Sequence, residues 1–289
     1  MWSGERLELD GYLERIGLGG ELRPDLATLR AVQRAHIAAV PFENLDVLLG
    51  RPVALDLASI EGKLVRGGRG GYCYEQNSLL AAALERIGFE VAGRGARNRT
   101  RGDALLPVTH AVLVVTVDGE PWLVDAGFGA NGPTEPVPLR PGAEVTQGAW
   151  DFGVAEEPEG VLVLRTRRTP GAPHSPGAAD PRVGAGGEPW RDLYAFAPQR
   201  LYPVDFVLMN HWSSTHPSSF FTGRLVVMRP GPSRRLALVD RELVRWLPDG
   251  AEERSAVVPG ELIGLLDREF GIRLPERDAA ELVRILPAG

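Results

Sequence analysis

A cysteine, a histidine and an aspartate stand where the sequence pattern can bring them together. Cys73 is the only cysteine in the chain and comes just before the apolar helical pattern SLLAAALERIGF, so it lies at or before the N-terminus of that helix. His110 opens the strand-like run HAVLVVTV, and Asp125 closes the run WLVD beyond the turn Asp118-Gly119. A hairpin about that turn places His110 and Asp125 nearly opposite each other, so the carboxylate can reach the imidazole.

These residue types favour nucleophilic catalysis by sulfur. An isolated thiol is only a few per cent thiolate near neutral pH, whereas a protonated histidine and a helix N-terminus lower the pKa of a thiol beside them. An aspartate can hold the imidazole in the required tautomer and orientation, as the third member of a triad does. The pattern alone leaves a second interpretation open, because a cysteine before a helix is often inert packing and an aspartate after a strand is often a turn former.

The stretch RGGRGGYCYEQN, residues 66–77, could instead indicate contact with nucleic acid. Such tracts need repetition and a disordered, basic context, whereas this stretch has two RGG units and leads directly into an apolar helix. The formal net charge of −6 also gives the chain no electrostatic reason to bind a phosphate backbone. We therefore interpret the stretch as the segment that positions a nucleophilic cysteine, with glycines that allow a sharp turn. We expect no nucleic-acid partner.

Other ligand motifs are incomplete. GFGANG, residues 127–132, fits a dinucleotide pattern, but the prolines that follow exclude the helix that would bind the pyrophosphate. EGKLVRGG lacks the upstream glycine and the hydroxyl residue of a phosphate loop. With one cysteine, and five histidines that include no pair at the spacing of a zinc protease, the sequence predicts neither a disulfide nor a metal site. We interpret His36 as a surface or packing residue and His174 as solvent-exposed.

The elements around these residues change character along the chain. Helical patterns occupy the first third, strand-like runs dominate from about Val91, and two helical patterns close the chain, which predicts an α+β fold. We expect a helical domain at 1–90 that carries the nucleophile, a β-rich domain at 91–200 and an α/β domain at 201–289. Residues 168–189 are rich in Pro, Gly and Ala and predict a flexible surface loop.

The N-terminal residues bear on localisation. MWSGERLELDGYLERIGL has acidic residues where a signal peptide needs a basic flank and an apolar run, and no later stretch approaches the length of a membrane-spanning helix. We therefore expect a cytoplasmic protein without a membrane partner. The oligomeric state stays open, with a homodimer among the options.

Five motifs, in order along the chain, resemble the arylamine N-acetyltransferase family closely. They are PFENLDVLLGRPV from Pro41, RGGRGGYCYEQN ending at Asn77, the Thr109-His110 step, VDAGFG from Val124 and SSTHPSSFFTG from Ser213. The resemblance extends over effectively the whole chain. It implies a fold similar to cysteine-protease-like enzymes, with a helical N-terminal domain, a β-barrel middle domain, an α/β C-terminal lid and an active cleft between the first two.

The resemblance also implies an acyltransferase with a triad of Cys73, His110 and Asp125 and with ping-pong chemistry. The thiolate attacks acetyl-CoA, a thioacetyl enzyme forms, CoA leaves, and an aromatic amine or hydrazine takes the acetyl group. Acetyl-CoA is then the acyl-donor cosubstrate, and no tightly bound cofactor is expected. The amide of Cys73 is expected to face the oxyanion that forms at the thioester carbonyl.

Binding residues follow from the same resemblance. Thr109 and Gly129 are expected to contact CoA, and Gly129 lacks a Cβ, which lets the cosubstrate approach the backbone. A neutral arylamine needs a hydrophobic slot more than a charged clamp. The residues expected to line that slot are all aromatic: Phe42, Phe128 and Phe221.

Two early motifs supply an ion pair, and two positions depart from the family pattern. Arg69 and Glu43 are expected to form a buried ion pair that braces the glycine turn. The departures are the long segment 168–189 and Val207, where members of the family commonly carry an acid. Because of them, an amide synthase of the ansamycin type, which uses the same triad to close a polyketide onto its aromatic amine, stays an alternative. A hydrolase and a noncatalytic binding module also stay open.

Overall fold

Helices dominate the first part of the chain, as the periodicity predicts. The structure, a computed structural model, describes residues 2–100, 105–168, 190–248 and 251–286. Its first elements are a 3₁₀ turn (Gly4–Arg6), α1 (Leu9–Ile16), α2 (Leu26–Ala39), β1 (Phe42–Glu43), α3 (Leu45–Leu48), α4 (Leu57–Ile60), a π-helical segment (Glu61–Arg66) and α5 (Cys73–Ile87). The segment predicted to be a flexible loop lies outside the described residues apart from Arg168, and His174 lies outside them as well, so both predictions stay open.

The ends of these helices follow from local chemistry. Asp25 begins α2, where its side chain accepts a hydrogen bond from the Thr28 amide at 2.8 Å. Gly17 and Gly88 end α1 and α5 with φ of 66° and 112°, a left-handed conformation that costs glycine little. The helix predicted at SLLAAALERIGF thus ends where expected, but it begins at Cys73, five residues before Ser78.

The middle of the chain folds into an antiparallel sheet of eight strands within the described residues. The strands are β2 (Glu90–Asn98), β3 (Val108–Val117), β4 (Glu120–Val124), β5 (Val137–Pro138), β6 (Glu144–Gln147), β7 (Trp150–Glu157), β8 (Val161–Arg168) and β9 (Arg191–Phe196). They pair in the order β5-β4-β3-β2-β9-β8-β7-β6, and the edge strands β5 and β6 approach each other. The sheet is therefore a nearly closed barrel, in agreement with the predicted α+β fold and its β-barrel.

The hairpin of β3 and β4 has the predicted turn. Asp118 and Gly119 have φ of 52° and 81°, the conformation that a two-residue hairpin turn requires. Leu113 pairs with Val124 at the end of β4, so Asp125 leaves the sheet one residue later.

Strand β3 is buried on both faces. Ala111, Leu113 and Val115 belong to the core shared with the helices, whereas Val112 belongs to the barrel interior. The strand therefore lies between the two layers of the fold.

A second sheet joins the first part of the chain to the last. It contains five described strands in the order β1-β10-β11-β12-β13, with β10 (Val226–Arg229), β11 (Arg235–Val239), β12 (Glu242–Trp246) and β13 (Glu252–Ala256). Phe42 of β1 pairs with Met228 of β10. The proposed boundaries at 1–90, 91–200 and 201–289 stay a prediction, and β1 shows that a sheet extends across them.

Three further helices complete the described chain: α6 (Pro203–Thr215), α7 (Pro259–Phe270) and α8 (Glu276–Ile285). Helix α6 packs against β3 and α5 through the face that contains Phe206, while Val207 is 50% exposed. The position noted as a departure from the family pattern therefore lies on the outer face of α6. In the described part of the chain, no helix combines the length and apolar character needed to cross a bilayer.

A close backbone contact joins the barrel to the five-stranded sheet, and it predicts a stability difference between two glycine variants. A Cβ on Gly148 would lie 2.0 Å from the carbonyl oxygen of Pro232, whereas a Cβ on Gly142 would meet nothing within 4 Å. Both glycines have positive φ, 66° and 79°. We expect Gly142→Ala to lower the free energy of unfolding by about 1 kcal/mol for the backbone strain. Gly148→Ala should cost about 1–3 kcal/mol more, because a backbone has to move.

Urea denaturation followed by circular dichroism measures both variants against the unchanged chain. The comparison isolates the contact with Pro232, because the two glycines share the strained backbone conformation. Equal losses in the two variants would contradict the close approach.

Candidate active site

The N-terminus of α5 holds Cys73 in a buried position. Tyr72 is the extended residue before the helix, and Cys73 is its first residue, only 3% exposed. A Cβ on Gly127 would lie 2.5 Å from the Cα of Cys73, so the backbone after Asp125 packs directly against the cysteine. Only glycine allows this approach, which brings the segment VDAGFG onto the first turn of α5.

The glycines before Cys73 serve close packing more than turning. A Cβ on Gly70 would lie 2.0 Å from the carbonyl oxygen of Pro41, and one on Gly71 would lie 2.6 Å from a carboxylate oxygen of Glu75. The left-handed turn in this stretch is made by Gly68, with φ of 63°. The sequence interpretation of a sharp glycine turn therefore applies to Gly68, whereas Gly70 and Gly71 are required for lack of space.

The structure brings Cys73, His110 and Asp125 together. His110 Nε2 lies 2.8 Å from Asp125 Oδ2, and the side chain of Cys73 lies close enough to His110 to raise the pKa of the imidazole. Because Nε2 is engaged by Asp125, Nδ1 is the ring nitrogen that remains for Cys73. Cys73 Sγ also lies 3.9 Å from the carbonyl oxygen of Thr109.

The environment keeps His110 protonated at neutral pH. Burial lowers its pKa, but the charge of Asp125, the hydrogen bond to Asp125 and the contacts with Cys73 outweigh burial and raise it to about 10. The imidazole therefore carries a proton that it can give to a leaving group beside Cys73.

Asp125 is held by groups that the sequence patterns did not single out. Asn77 Nδ2 donates to Asp125 Oδ1 at 3.0 Å and to the carbonyl oxygen of Ala111 at 2.7 Å, while Asn77 Oδ1 accepts from the Ala126 amide at 2.9 Å. The Gly127 amide also donates to Asp125 Oδ1, at 2.8 Å. The fully buried Asn77 lies one helical turn after Cys73 on the same face of α5, and that i, i+4 spacing was the signal available in the sequence.

His36 is a buried packing residue, so the packing option of the sequence interpretation is confirmed and the surface option is wrong. It is fully buried, with Nε2 2.7 Å from Gln76 Oε1 and Nδ1 2.9 Å from the Tyr12 hydroxyl. The amide oxygen of Gln76 can only accept, so Nε2 donates and Nδ1 accepts from Tyr12. Burial lowers the pKa of His36 to about 4. Gln76 in turn donates to the carbonyl oxygens of Pro41 and Gly71, at 2.8 Å and 3.2 Å, and so fixes the chain that leads to the cysteine.

The predicted ion pair between Arg69 and Glu43 is confirmed. Arg69 Nη2 and Nε lie 2.7 Å and 2.9 Å from Glu43 Oε1, and the other oxygen of Glu43 accepts from the Leu45 amide at 2.7 Å. Glu43 is fully buried. The pair connects the segment before Cys73 to β1.

The three aromatic residues predicted to line a slot form two groups. The rings of Phe42 and Phe221 lie 5.9 Å apart, and Phe221 also meets Tyr72 at 5.5 Å between ring centroids. Phe128 lies instead against His110, at 5.1 Å. Phe42 is buried, whereas Phe128 and Phe221 are half-buried.

The residues predicted to contact CoA have clear structural surroundings. The carbonyl oxygen of Thr109 accepts a hydrogen bond from the Tyr74 hydroxyl at 2.8 Å, beside Cys73. Gly129 has φ of 83°, and a Cβ there would lie 2.5 Å from Met228 Sδ. The glycine is therefore required by the fold itself, and its contact with CoA stays a prediction.

Tyr194 is a further neighbour of the site that the sequence patterns missed. Its ring lies 4.9 Å from both His110 and Phe128, and the residue is fully buried. The hydroxyl lies beside Asp125 but has no hydrogen-bond partner of good geometry among the described residues. Tyr194 comes from β9, far along the chain, so no local pattern could have placed it here.

Known proteins resemble the whole chain. A family model described as N-acetyltransferase matches residues 25–279. The arylamine N-acetyltransferase of Mycolicibacterium smegmatis is 38% identical over 281 residues, which cover 93% of each chain. The crystal structure of the Nocardia farcinica arylamine N-acetyltransferase has 42% sequence identity and a TM-score of 0.86, covering 98% of this chain and 95% of its own. The Mycobacterium marinum arylamine N-acetyltransferase in complex with CoA has 32% identity and a TM-score of 0.82, covering 96% and 97%.

The contact between His110 and Asp125 predicts the titration of the imidazole. In the unchanged chain, NMR of the histidine ring should show His110 protonated through neutral pH and losing its proton near pH 10. Asp125→Asn removes the charge that offsets burial, so the titration should move well below that value. The signal is assigned by its loss in His110→Gln.

Asp118→Asn is the matched control, because asparagine tolerates the turn conformation at this exposed position and should leave the titration unchanged. The folded pKa lies above the ordinary histidine value of 6.5, so the imidazolium stabilises the fold fully below that pH. This contribution is lost as the pH rises toward 10, and Asp125→Asn should lose most of that dependence. A wild-type titration near 6.5 would contradict the assignment.

Proposed function

This chain belongs to the arylamine N-acetyltransferase family, and we propose that it moves an acetyl group from acetyl-CoA, through a thioester on Cys73, to the nitrogen of an aromatic amine or hydrazine. Membership makes the protein an acyltransferase. The observation that carries the proposed mechanism is the position of His110, which contacts both Cys73 and Asp125. A thiol, a base and a carboxylate in this arrangement are the parts that an acyl-cysteine mechanism needs.

The first half-reaction loads the cysteine. The thiolate of Cys73 attacks the carbonyl carbon of acetyl-CoA, the carbon–sulfur bond to CoA breaks, and the CoA thiolate takes the proton held by His110. Exchange of one thioester for another is nearly isoenergetic, so positioning dominates the barrier. The raised pKa of His110 supports this step, because the proton is present at neutral pH before CoA leaves.

The second half-reaction transfers the acetyl group from Cys73 to the amine. The amine nitrogen attacks the acetyl carbon, the bond to Cys73 Sγ breaks, and His110, now neutral, accepts the proton from nitrogen. The cycle ends with thiolate and imidazolium restored. Asp125, held by Asn77 and the Gly127 amide, keeps the ring aligned in both halves.

The first turn of α5 also provides for the charge that develops on the carbonyl oxygen. The amide of Cys73 belongs to the N-terminal group of helix amides that lack an intrahelical acceptor. We assign it as one donor to the oxyanion, where removal of a single such donor costs about a hundredfold to a thousandfold in rate.

The acceptor is proposed to bind between aromatic rings. An arylamine is largely neutral at physiological pH, so it gains more from apolar surface than from a charged partner. Phe128 beside His110 and the pair Phe42 and Phe221 beside Tyr72 supply that surface. We propose these rings as the slot.

The donor is proposed to approach the same cleft, with Thr109 and Gly129 as its contacts. The Mycobacterium marinum relative with CoA bound supports CoA as the carrier. The named relatives are acetyltransferases, which supports acetyl transfer over the polyketide-closing amide synthesis considered from the sequence.

Removal of the nucleophile is the direct test. With acetyl-CoA alone, mass spectrometry should detect the chain with one added acetyl group, and Cys73→Ser should abolish the adduct. Acetylation of an arylamine should fall by about a thousandfold or more in that variant. Ser78→Ala, on the same helix, is the control and should retain activity. A Cys73→Ser variant that acetylates as fast as the unchanged chain would refute the assignment.

The acyl donor and acceptor are tested together in a panel. We expect acetyl-CoA with arylamines and hydrazines to give parallel double-reciprocal lines, because the donor leaves before the acceptor reacts. Malonyl-CoA serves as the comparison donor. Hydrolysis of acetyl-CoA without amine that outpaces transfer would instead indicate a hydrolase.

A further inference from the structure

We propose that Glu75 is a positioning residue for acyl transfer: bound by Lys63, its carboxylate holds the first turn of α5 and thereby sets the place of Cys73. The inference rests on the proposed function in one respect, that Cys73 carries the acyl group. Glu75 does not touch the reacting atoms. It acts through the backbone of the helix start, where Tyr72 leads into Cys73.

The contacts of Glu75 are with the beginning of its own helix and with one cation. Oε2 accepts from the Tyr72 amide at 3.1 Å, and Oε1 accepts from Lys63 Nζ at 2.7 Å. The carboxylate also fills the space above Gly71. Glu75 is the third residue of α5, the position from which a carboxylate reaches back to the residue before the helix.

The identity of that preceding residue makes Glu75 important. Helices usually begin after Ser, Thr, Asp or Asn, whose short side chains accept a hydrogen bond from the first turn. Here the residue is Tyr72, whose hydroxyl is bound to Asn210 of α6. Glu75 therefore supplies the hydrogen bond that fixes the step from Tyr72 to Cys73.

Lys63 connects this carboxylate to a second helix. Its Nζ lies 2.6 Å from Asp46 Oδ2 on α3 and 2.7 Å from Glu75, and only 16% of its side chain is exposed. Lys63 belongs to the π-helical segment, a rare geometry that often marks functional sites. A cation held by two carboxylates from different elements is a rigid brace.

The charges around Glu75 do not balance. The acids of this cluster are Glu43, Asp46, Glu75 and Asp278, and the three cations that face them are Lys63, Arg69 and Arg51. Burial raises the pKa of Glu75, Lys63 lowers it and Glu43 raises it, with the result that it lies at about 7. Protonation of Glu75 removes the excess negative charge and weakens its bond to Lys63, so the brace loosens as the pH falls through this value.

Small displacements of the first turn matter for acyl transfer. The thiol of Cys73 has to meet His110 on one side and the acetyl carbon on the other, and a misplacement of about 1 Å costs about a hundredfold in rate. The amide proposed to face the oxyanion moves with the same turn. Loss of the carboxylate therefore slows acylation of Cys73 without changing the affinity for the amine.

The test compares three variants of the full-length chain with the unchanged protein: Glu75→Gln, Lys63→Met and Lys63→Arg. The acetylation rate of Cys73 is measured by quenched-flow mass spectrometry between about pH 6 and 9, the range that brackets the titration of a carboxyl with a raised pKa, together with kcat/KM for one arylamine. Glu61→Gln is the control, because Glu61 is a buried acid near Lys63 whose Oε1 accepts from the Glu8 amide at 3.0 Å, which an amide oxygen also does.

In Glu75→Gln, Cys73 should be acetylated about tenfold to a hundredfold more slowly at about pH 8, while kcat/KM for the amine, which reports only the second half-reaction, stays unchanged. The unchanged chain should lose rate as the pH falls below about 7, and Glu75→Gln should lack that dependence. The control should keep both the rate and the pH profile. An unchanged rate and profile in Glu75→Gln would overturn the inference.

Lys63→Met keeps the carboxylate and its bond to Tyr72, so it tests the brace if Glu75→Gln does not fold. Because Lys63 lowers the pKa of Glu75, its removal should move the acidic fall of the pH–rate profile to higher pH. Lys63→Arg keeps the positive charge and should return that fall to the pH of the unchanged chain. If the acidic fall of the pH–rate profile lies at the same pH in Lys63→Met as in the unchanged chain, the inference is overturned.

The two proposals fail in different ways. If the unchanged chain forms no acetyl enzyme, the proposed function fails, and the same variants are compared by alkylation of Cys73 with iodoacetamide. Slower alkylation in Glu75→Gln with the control unaffected would then still support the positioning role, and equal alkylation would overturn it.

Discussion

The structure depends on one close approach, that of the Gly127 backbone to the Cα of Cys73. It brings the segment after β4 onto the first turn of α5, and with it Asp125 and the imidazole that Asp125 holds. No side chain fits between the two backbones, so main-chain packing sets where Asp125 and the imidazole lie relative to the thiol. Groups held in place by main-chain packing are preorganised, which is the condition for electrostatic stabilisation of a transition state.

Buried polar groups surround this contact on both sides of α5. On one side Asn77 connects the helix to Ala111 and Asp125, and on the other Gln76 connects it to His36 and the chain before Cys73. These groups are costly to bury unless every one is paired, so they specify a single position of the helix where an apolar surface would permit several. Two consecutive residues of α5, about 100° apart around the helix axis, thus bind different neighbours and fix the orientation of the helix.

The sequence predicted the parts of the site that depend on local pattern. The hairpin turn at Asp118-Gly119 determines the register of β3 and β4, and the apolar periodicity places a helix directly after Cys73. Both signals span fewer than about 20 residues, the range over which hydrophobic period and turn chemistry are informative. The motifs shared with the family predicted the rest of the site, including the contact between Arg69 and Glu43.

The sequence could not supply contacts that depend on the tertiary arrangement. His36 has the same helical pattern whether it faces solvent or Gln76, and the difference is decided by the packing of α2 on α5. Tyr194 reaches His110 only because β9 pairs with β2, and Lys63 reaches Glu75 only through the π-helical segment. In each case the partner lies on another helix or strand. Hydrophobic periodicity and secondary-structure propensity predict single elements and carry no information on the distance between two of them.

The pairing of β1 with β10 has a consequence for the order in which this protein becomes active. Phe42 meets Met228 across the sheet, and Asn44 donates to the carbonyl oxygens of Phe221 and Arg224, so the segment before Cys73 has its partners far along the chain, in its last third. Contacts of such long range form late in folding, because the entropy of closing the intervening chain opposes them. During synthesis, the thiol is therefore made long before the strand that completes its surroundings leaves the ribosome. A nascent chain that already contains Cys73, His110 and Asp125 still lacks the strand that pairs with β1.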